Sequence, residues 1–520
     1  MQSTAPLPTS PQSGGGVRSK QSKQPQQSKL LIRIIIFLAI ILLPAIIRAD
    51  YEFTPRCQQA MHEIYSLRTN TARNILKEEK SVNPKNNYAI FLEHYADLVE
   101  LIMYDDEKRY EALFNKYEER RKVMDEDHPT SPYYRMIEAE MLFQMGLAQI
   151  KYGTKVNGVS KIISSYRTIS ENQKLFPSFI YDDKLSGVYS VVLGNVPPRF
   201  NWALKMLGMS GNIEKGMTQL KTYFESIRQI PGYTEECALF LSFAYKYTWK
   251  EQEGFQFMGN LPDELFESPL MSYFYANQAY FSYKNDLALT TLQKIDRQRM
   301  EVPFYALDYQ IGKCKLNRLD NDADVYLNQF LQSGPGKDYK KETCCRLSWH
   351  YLIHGDMQKF QKYKQMVSTV GSDLRDRDLE AIMESNLDYT PNVNLLKSRL
   401  LFDGGYFDLA MQEINKLTES SLTLLPYKLE YHYRKGRIYQ KTNNAGMAIS
   451  EFFMVLTMGR DEDYSFATRT AYSLGEIYEA QGNLVKAMEY YELCKDLYDS
   501  DYTEEGVLAK AERGLERVRK

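Results

Sequence analysis

The chain has 520 residues, of which 43% are apolar and 25% charged, a balance that excludes disorder over most of its length. Six Lys or Arg and no acid fall in the first 49 residues, leaving 59 bases and 67 acids in the remainder; so mildly acidic a body argues against a nucleic-acid footprint, which needs clustered bases. The six cysteines lack any CxxC spacing, so neither a zinc site nor a dense disulfide framework follows, leaving buried thiols or an isolated bridge.

Residues 1–29 are rich in Ser, Gln, Gly, Pro and Lys and read as a disordered basic leader. Residues 30–47 are apolar except for Arg33. The uninterrupted run 34–47 rises about 21 Å as a helix, short of the roughly 30 Å hydrocarbon core but suited to a signal segment. Counted from residue 30 it is marginally long enough to span, so cleavage near residue 49 and an uncleaved transmembrane anchor both stand. Under the positive-inside rule Lys20, Lys23, Lys29 and Arg33 stay cytoplasmic. The body from residue 50 is then expected in the cell envelope, periplasmic in a bacterial setting. Thr54-Pro55-Arg56 before Cys57 is no lipobox.

From Tyr88 onward apolar residues recur at three and four, which predicts an all-α chain. Residues 91–104 and 110–124 read as one hairpin turning at Asp105-Asp106, and 132–152 as the start of another. Further on, Ala276, Gly312 and Ser348 are spaced 36 apart, and the 50-residue step to Ser398 places an insertion near 371–377. A pattern then repeats: Ser398, Leu401, Ala410 and Ile414; Gly436, Tyr439, Ala448 and Phe452; Gly475, Tyr478, Ala487 and Tyr491. In each copy the small residue lies 12 before the alanine. Residues 503–520 read as a capping helix with Leu508, Ala511, Leu515 and Val518 on one stripe and a solvated opposite face.

This pattern resembles the tetratricopeptide (TPR) repeat of exported bacterial proteins. The resemblance implies an α-solenoid of antiparallel hairpins in a right-handed superhelix, with clear units over 386–502 and divergent ones over 50–385. It also implies that the first helix of each unit lines a concave groove. Mapped here, the groove positions are Leu395, Arg399 and Phe402, then Tyr433, Arg437 and Gln440, then Tyr472, Glu476 and Glu479. That row changes from positive to negative and suits a protein or peptide partner. Residues 176–220, with Leu185-Ser186-Gly187-Val188-Tyr189, Leu193, Pro197-Pro198, Gly208, Gly211 and Gly216, resemble the fungal inclusion-body clearance protein family and its animal TPR relatives. The residues alone read as a buried helix, a proline-stopped turn and another hairpin.

Little else points to chemistry. His350 and His354 share a helix face but lack the glutamate of HExxH and a third ligand. Ser333-Gly334-Pro335-Gly336-Lys337 is not a phosphate loop, since GxxxxGK[ST] is unmet. The acid pairs Asp105/Asp106, Asp182/Asp183 and Glu235/Glu236 read as turn and helix-start residues. The 40 tyrosines read as seam residues of helical hairpins, with a ligand-stacking surface as the alternative. The expectation is a non-catalytic envelope scaffold without cofactor or metal that binds a protein or peptide. A glycan-binding TPR protein is the alternative, weakened by the missing lipobox and only three tryptophans.

Overall fold

The computed structural model describes residues 51–125, 131–500 and 505–519, so the leader and the apolar run 30–47 lie outside the described residues. Within them the chain forms 25 α-helices and no strand, an all-α solenoid. Twenty-two of the helices pair in sequence as hairpins, from Pro55–Tyr65 with Thr69–Val82 to Ser465–Ala480 with Leu484–Asp496. The others are Asn201–Met206 within the fourth hairpin, Asp376–Ser385 and the terminal Glu505–Val518. The insertion expected near 371–377 is therefore an added helix, packed against Lys340–Ile353. Thr54, which precedes Cys57, caps the first helix: its Oγ1 accepts the Cys57 N–H at 3.2 Å. None of the described helices is long and apolar enough to cross a membrane.

The repeated small residues set the distance between paired helices. A Cβ on Gly436 would lie 2.5 Å from the Phe452 ring, and one on Gly475 2.5 Å from Tyr491. Ala410, Ala448 and Ala487 are fully buried in the same seams. The fourth hairpin uses the same device more densely, because a Cβ on Gly216 would meet the Gly187 carbonyl at 2.7 Å and one on Gly211 the Gly194 nitrogen at 2.3 Å. Tyrosines fill the remaining seams, with hydroxyl pairs Tyr88/Tyr233 at 2.6 Å and Tyr65/Tyr95 at 3.0 Å. All six cysteines are buried free thiols.

A strictly one-dimensional array confines contacts to neighbouring units. This chain departs from that expectation, and strained turn residues show how. In several hairpins the residue two positions before the second helix takes a left-handed φ; glycine does so at Gly355, Gly405 and Gly482, but Leu67, Trp249 and Tyr283 do so elsewhere, at +59°, +57° and +61°. For a bulky residue this costs about 1–2 kcal/mol. Each of the three holds a distant unit in return. The Leu67 carbonyl accepts the Glu301 N–H at 3.0 Å. Tyr283 packs on Phe402 and Phe407. The Trp249 ring lies 5.6 Å from Lys510 Nζ and 5.3 Å from the Arg513 guanidinium.

The terminal helix Glu505–Val518 consequently differs from a simple cap. Ala511, Leu515 and Val518 are buried as expected, while Leu508 is only half-buried. The rest of the helix is only partly solvated: Glu516 and Arg517 are exposed, but Arg513 donates to the Gly194 carbonyl at 3.0 Å and Glu512 takes Arg199 at 2.8 Å. Glu236 departs from its expected helix-start role too. Glu235 does accept the Gly232 N–H at 2.7 Å, but Glu236 is buried against Lys184 Nζ at 2.6 Å.

Candidate functional site

The expected groove positions lie on three consecutive first helices, Val393–Asp403, Leu425–Lys441 and Ser465–Ala480. Leu395, Phe402 and Tyr433 are core residues, 0%, 5% and 4% exposed. They are buried because Phe402 packs on Phe407 of its own hairpin and Tyr283 of a distant one, and Tyr433 on Phe452 of its own hairpin and Phe466 of the next. The polar positions are bound internally. Arg399 stacks 4.6 Å from the Trp349 ring and pairs with Glu384 of the inserted helix. Arg437 donates to the Tyr433 hydroxyl at 3.2 Å and lies 5.4 Å from the Phe402 ring. Gln440 donates to Glu476 at 3.5 Å, and the Tyr472 hydroxyl donates to the same carboxylate at 2.7 Å. Glu479 accepts two bonds from Arg517 at 2.8 Å and one from Tyr491 at 2.5 Å.

The charge gradient read from the row is therefore compensated from outside it, by Glu384 at the positive end and Arg517 at the negative end. Arg517 holds the Glu479 carboxyl below its ordinary range. Burial raises the Tyr433 phenol, but Arg437, Arg469 and Arg434 outweigh it and leave it below the usual value. On the sequence alone, reversing Arg399 and Arg437 to Glu would leave the fold untouched. The structure predicts otherwise: Arg399→Glu sets a second carboxylate beside Glu384 on a side chain only 18% exposed, and a loss of about 3 kcal/mol is expected in urea unfolding.

The open surface lies beside this row. A cleft of about 620 Å³ runs between Asp376–Ser385 and the start of Ser465–Ala480. Met383, Tyr389, Tyr464 and Phe466 form its sides; Arg399 and Arg469 lie within it, with Glu380, Asp388 and Asp463 also lining it. A smaller hollow of about 60 Å³ shares Arg399 and Arg469 and adds Arg434. These three arginines are 35 residues apart, whereas the small residues Ser398, Gly436 and Gly475 step by 38 and 39. Measured against the small residue of its unit, each arginine thus falls three or four positions earlier than the one before, a drift of about one turn per unit. A fixed register, as used on the sequence, misses Arg434 and Arg469; allowing a one-turn drift would have found them.

The other candidates resolve as structural. His350 is buried, its imidazole pushed down to about 4 by burial and by His354. His354 is taken up by the His350 carbonyl at 2.7 Å and Asn321 at 3.0 Å. Among the described residues no three His, Cys, Asp or Glu gather as a metal site. The glycine-rich loop before Lys340 is a connector, in which a Cβ on Gly336 would meet Asp105 at 2.2 Å. Lys340 Nζ caps the preceding helix through the Phe330, Leu331 and Ser333 carbonyls at 2.6, 2.9 and 2.8 Å.

Residues 468–501 match the tetratricopeptide-repeat family model, in the unit that carries Tyr472, Glu476 and Glu479. With the glycine-set hairpins around it, the chain is a TPR-containing helical solenoid. A comparison with curated proteins gave no match. Among solved structures, the human IFIT1 dimer with m7Gppp-AAAA is 13% identical at a TM-score of 0.29, over 95% of this chain and 94% of that one. A monomeric IFIT1 mutant with Gppp-AAAA is 12% identical at 0.28, over 91% and 95%. Likeness at this level says nothing of a ligand.

Proposed function

We propose that the chain is a non-catalytic TPR scaffold of the cell envelope that holds a segment of another polypeptide in the cleft between Asp376–Ser385 and Ser465–Ala480. The observation that carries this is the cleft itself: aromatic and apolar sides from Tyr389, Tyr464, Phe466 and Met383, with Arg399 and Arg469 set among Glu380, Asp388 and Asp463. Aromatic anchors with separated charges of both signs suit an extended peptide whose own acid meets the arginines and whose bases meet the carboxylates. The inserted helix supports the reading, because it forms one wall of the cleft and also supplies Glu384, which fixes Arg399.

The test uses the full chain, tagged at its carboxyl end and extracted in mild detergent. Met383 and Tyr464 are half-buried cleft residues, and the double variant Met383→Ala/Tyr464→Ala is expected to unfold within about 1 kcal/mol of wild type. It should nevertheless lose a protein that co-purifies with wild type. Retention of every co-purifying protein by that variant, with the fold intact, overturns the proposal.

A further inference from the structure

Charge is unevenly placed on this acidic body. Residues 154–175 and 196–210 hold Lys155, Lys161, Arg167, Lys174, Arg199 and Lys205 against the one acid Glu171. Lys161 and Arg199 serve internally, with Glu118 at 4.0 Å and Glu512 at 2.8 Å. Lys155, Arg167 and Lys174 are exposed and form no ion pair among the described residues. On the helix Lys155–Leu175, Val156, Ser160, Arg167 and Lys174 recur at i, i+4, i+11 and i+18 and so share one face. Val156 is 80% exposed there.

The short helix Asn201–Met206 meets this helix through a shared apolar cluster. Leu204 joins Ile162, Ile163 and Tyr166 in one apolar cluster, and the Ser210 N–H donates to the Tyr166 hydroxyl at 3.3 Å. Asn201, Leu204 and Lys205 face a cleft of about 520 Å³. Trp202 and Met206, one turn apart, stand out on another side at 64% and 78% exposure, with Phe200 beside them at 45%. Trp202 and Met206 are among the most exposed large apolar side chains described, and none of the three lines the cleft. Protruding aromatic and thioether groups close to a helix that carries unpaired cations fit a fluid, anionic surface better than a shaped protein one, because cations are drawn to such a surface and tryptophan settles at the headgroup level.

We propose that this surface is a bilayer-docking face, with Trp202, Met206 and Phe200 entering the interfacial layer while Lys155, Arg167 and Lys174 meet phosphate groups of anionic lipid. It is independent of the peptide cleft. If residues 30–47 tether the chain, the face would lay the body on the same membrane.

The experiment reconstitutes the full chain into phosphatidylcholine vesicles, with and without phosphatidylglycerol, whose acyl chains are brominated. Bromine quenches tryptophan that enters the bilayer. Trp202 is one of three tryptophans, and Trp349 is buried, so the expected loss is up to about one third of the emission. That loss should vanish in Trp202→Phe. In Arg167→Glu/Lys174→Glu it should shrink on the anionic vesicles. A vesicle-bound chain whose emission is unquenched, or is quenched equally in Trp202→Phe, overturns the docking face while leaving the tether standing. A dimer that Trp202→Phe dissolves, without lipid quenching, also overturns it and makes this a contact between copies. A chain that fails to bind vesicles at all overturns both the face and the tether.

Discussion

Lys184→Met is expected to destabilise the chain by about 3–5 kcal/mol, the cost of removing one partner from a buried ionic group. Lys184 Nζ lies 2.8 Å from Glu140 and 2.6 Å from Glu236, and both carboxylates are 1% exposed. Burial pulls the Lys184 ammonium down, but the two glutamates more than offset it and hold it charged. Two carboxylates share one cation, so burial and Glu236 push Glu140 up to about 7 despite Lys184. A carboxyl whose folded value exceeds its unfolded value adds stability that is fully present below the unfolded value, near 4.5, and is lost as pH rises through the folded one. Lys184→Met removes the one influence that lowers Glu140. Its deficit should therefore be smallest near pH 4.5 and grow through and beyond pH 7, read as the gap between mutant and wild-type urea midpoints. The triple variant Glu140→Gln/Lys184→Met/Glu236→Gln should recover most of the loss, because it leaves no buried charge unpaired. A Lys184→Met midpoint equal to wild type at both ends of that range would show that these groups are reached by water.

Gly475→Ala and Gly514→Ala are each expected to cost about 1–3 kcal/mol, although alanine is the better helix former by about 1 kcal/mol. The two glycines clasp opposite edges of the Tyr491 ring: a Cβ on either would lie 2.5 Å from a ring carbon. Tyr491 cannot yield, being fully buried with its hydroxyl donated to Glu479 at 2.5 Å. Overpacking should therefore win over propensity. As a control, Gly446→Ala adds a Cβ that meets nothing within 4 Å, and it should be neutral or stabilising. Because both glycines press on one ring, the double variant should cost less than the sum of the two single changes. Thermal or urea unfolding of the three single variants and the double variant measures this. Stabilisation by Gly475→Ala or Gly514→Ala would mean that the terminal helix is not held on the last repeat through this ring.

The second role of Tyr491 illustrates what was legible in the sequence. Its spacing from Gly475 is the TPR register and was readable as a seam contact. Its contact with Gly514 was not, because the capping helix has no repeat partner against which to fix a register. The hairpin at 87–125, the helix at 132–152 and the carboxyl-terminal repeats follow from local apolar periodicity, which contacts between neighbouring helices preserve, while the insertion near 371–377 showed only as a break in the repeat spacing and its helical form did not. The closure of the array does not. Trp249 under Lys510 and Arg513, or Tyr283 against Phe402, joins residues more than a hundred positions apart through turns that lack the usual glycine, so no local signal marks them. The same closure explains why the groove row looked available to a partner on the sequence. Glu384 and Arg517, which bind its ends, come from the inserted and terminal helices, outside the repeat register.

The central claim is that the cleft beside the inserted helix holds another polypeptide, and photocrosslinking in intact cells tests it most directly. A photoreactive benzoyl-phenylalanine replaces Tyr464, which lines the cleft, and in a second chain replaces Gly446, whose Cβ direction is open. The account predicts a covalent adduct with a distinct polypeptide from position 464 and none from position 446. No polypeptide adduct from 464, or the same adducts from both positions, would contradict it.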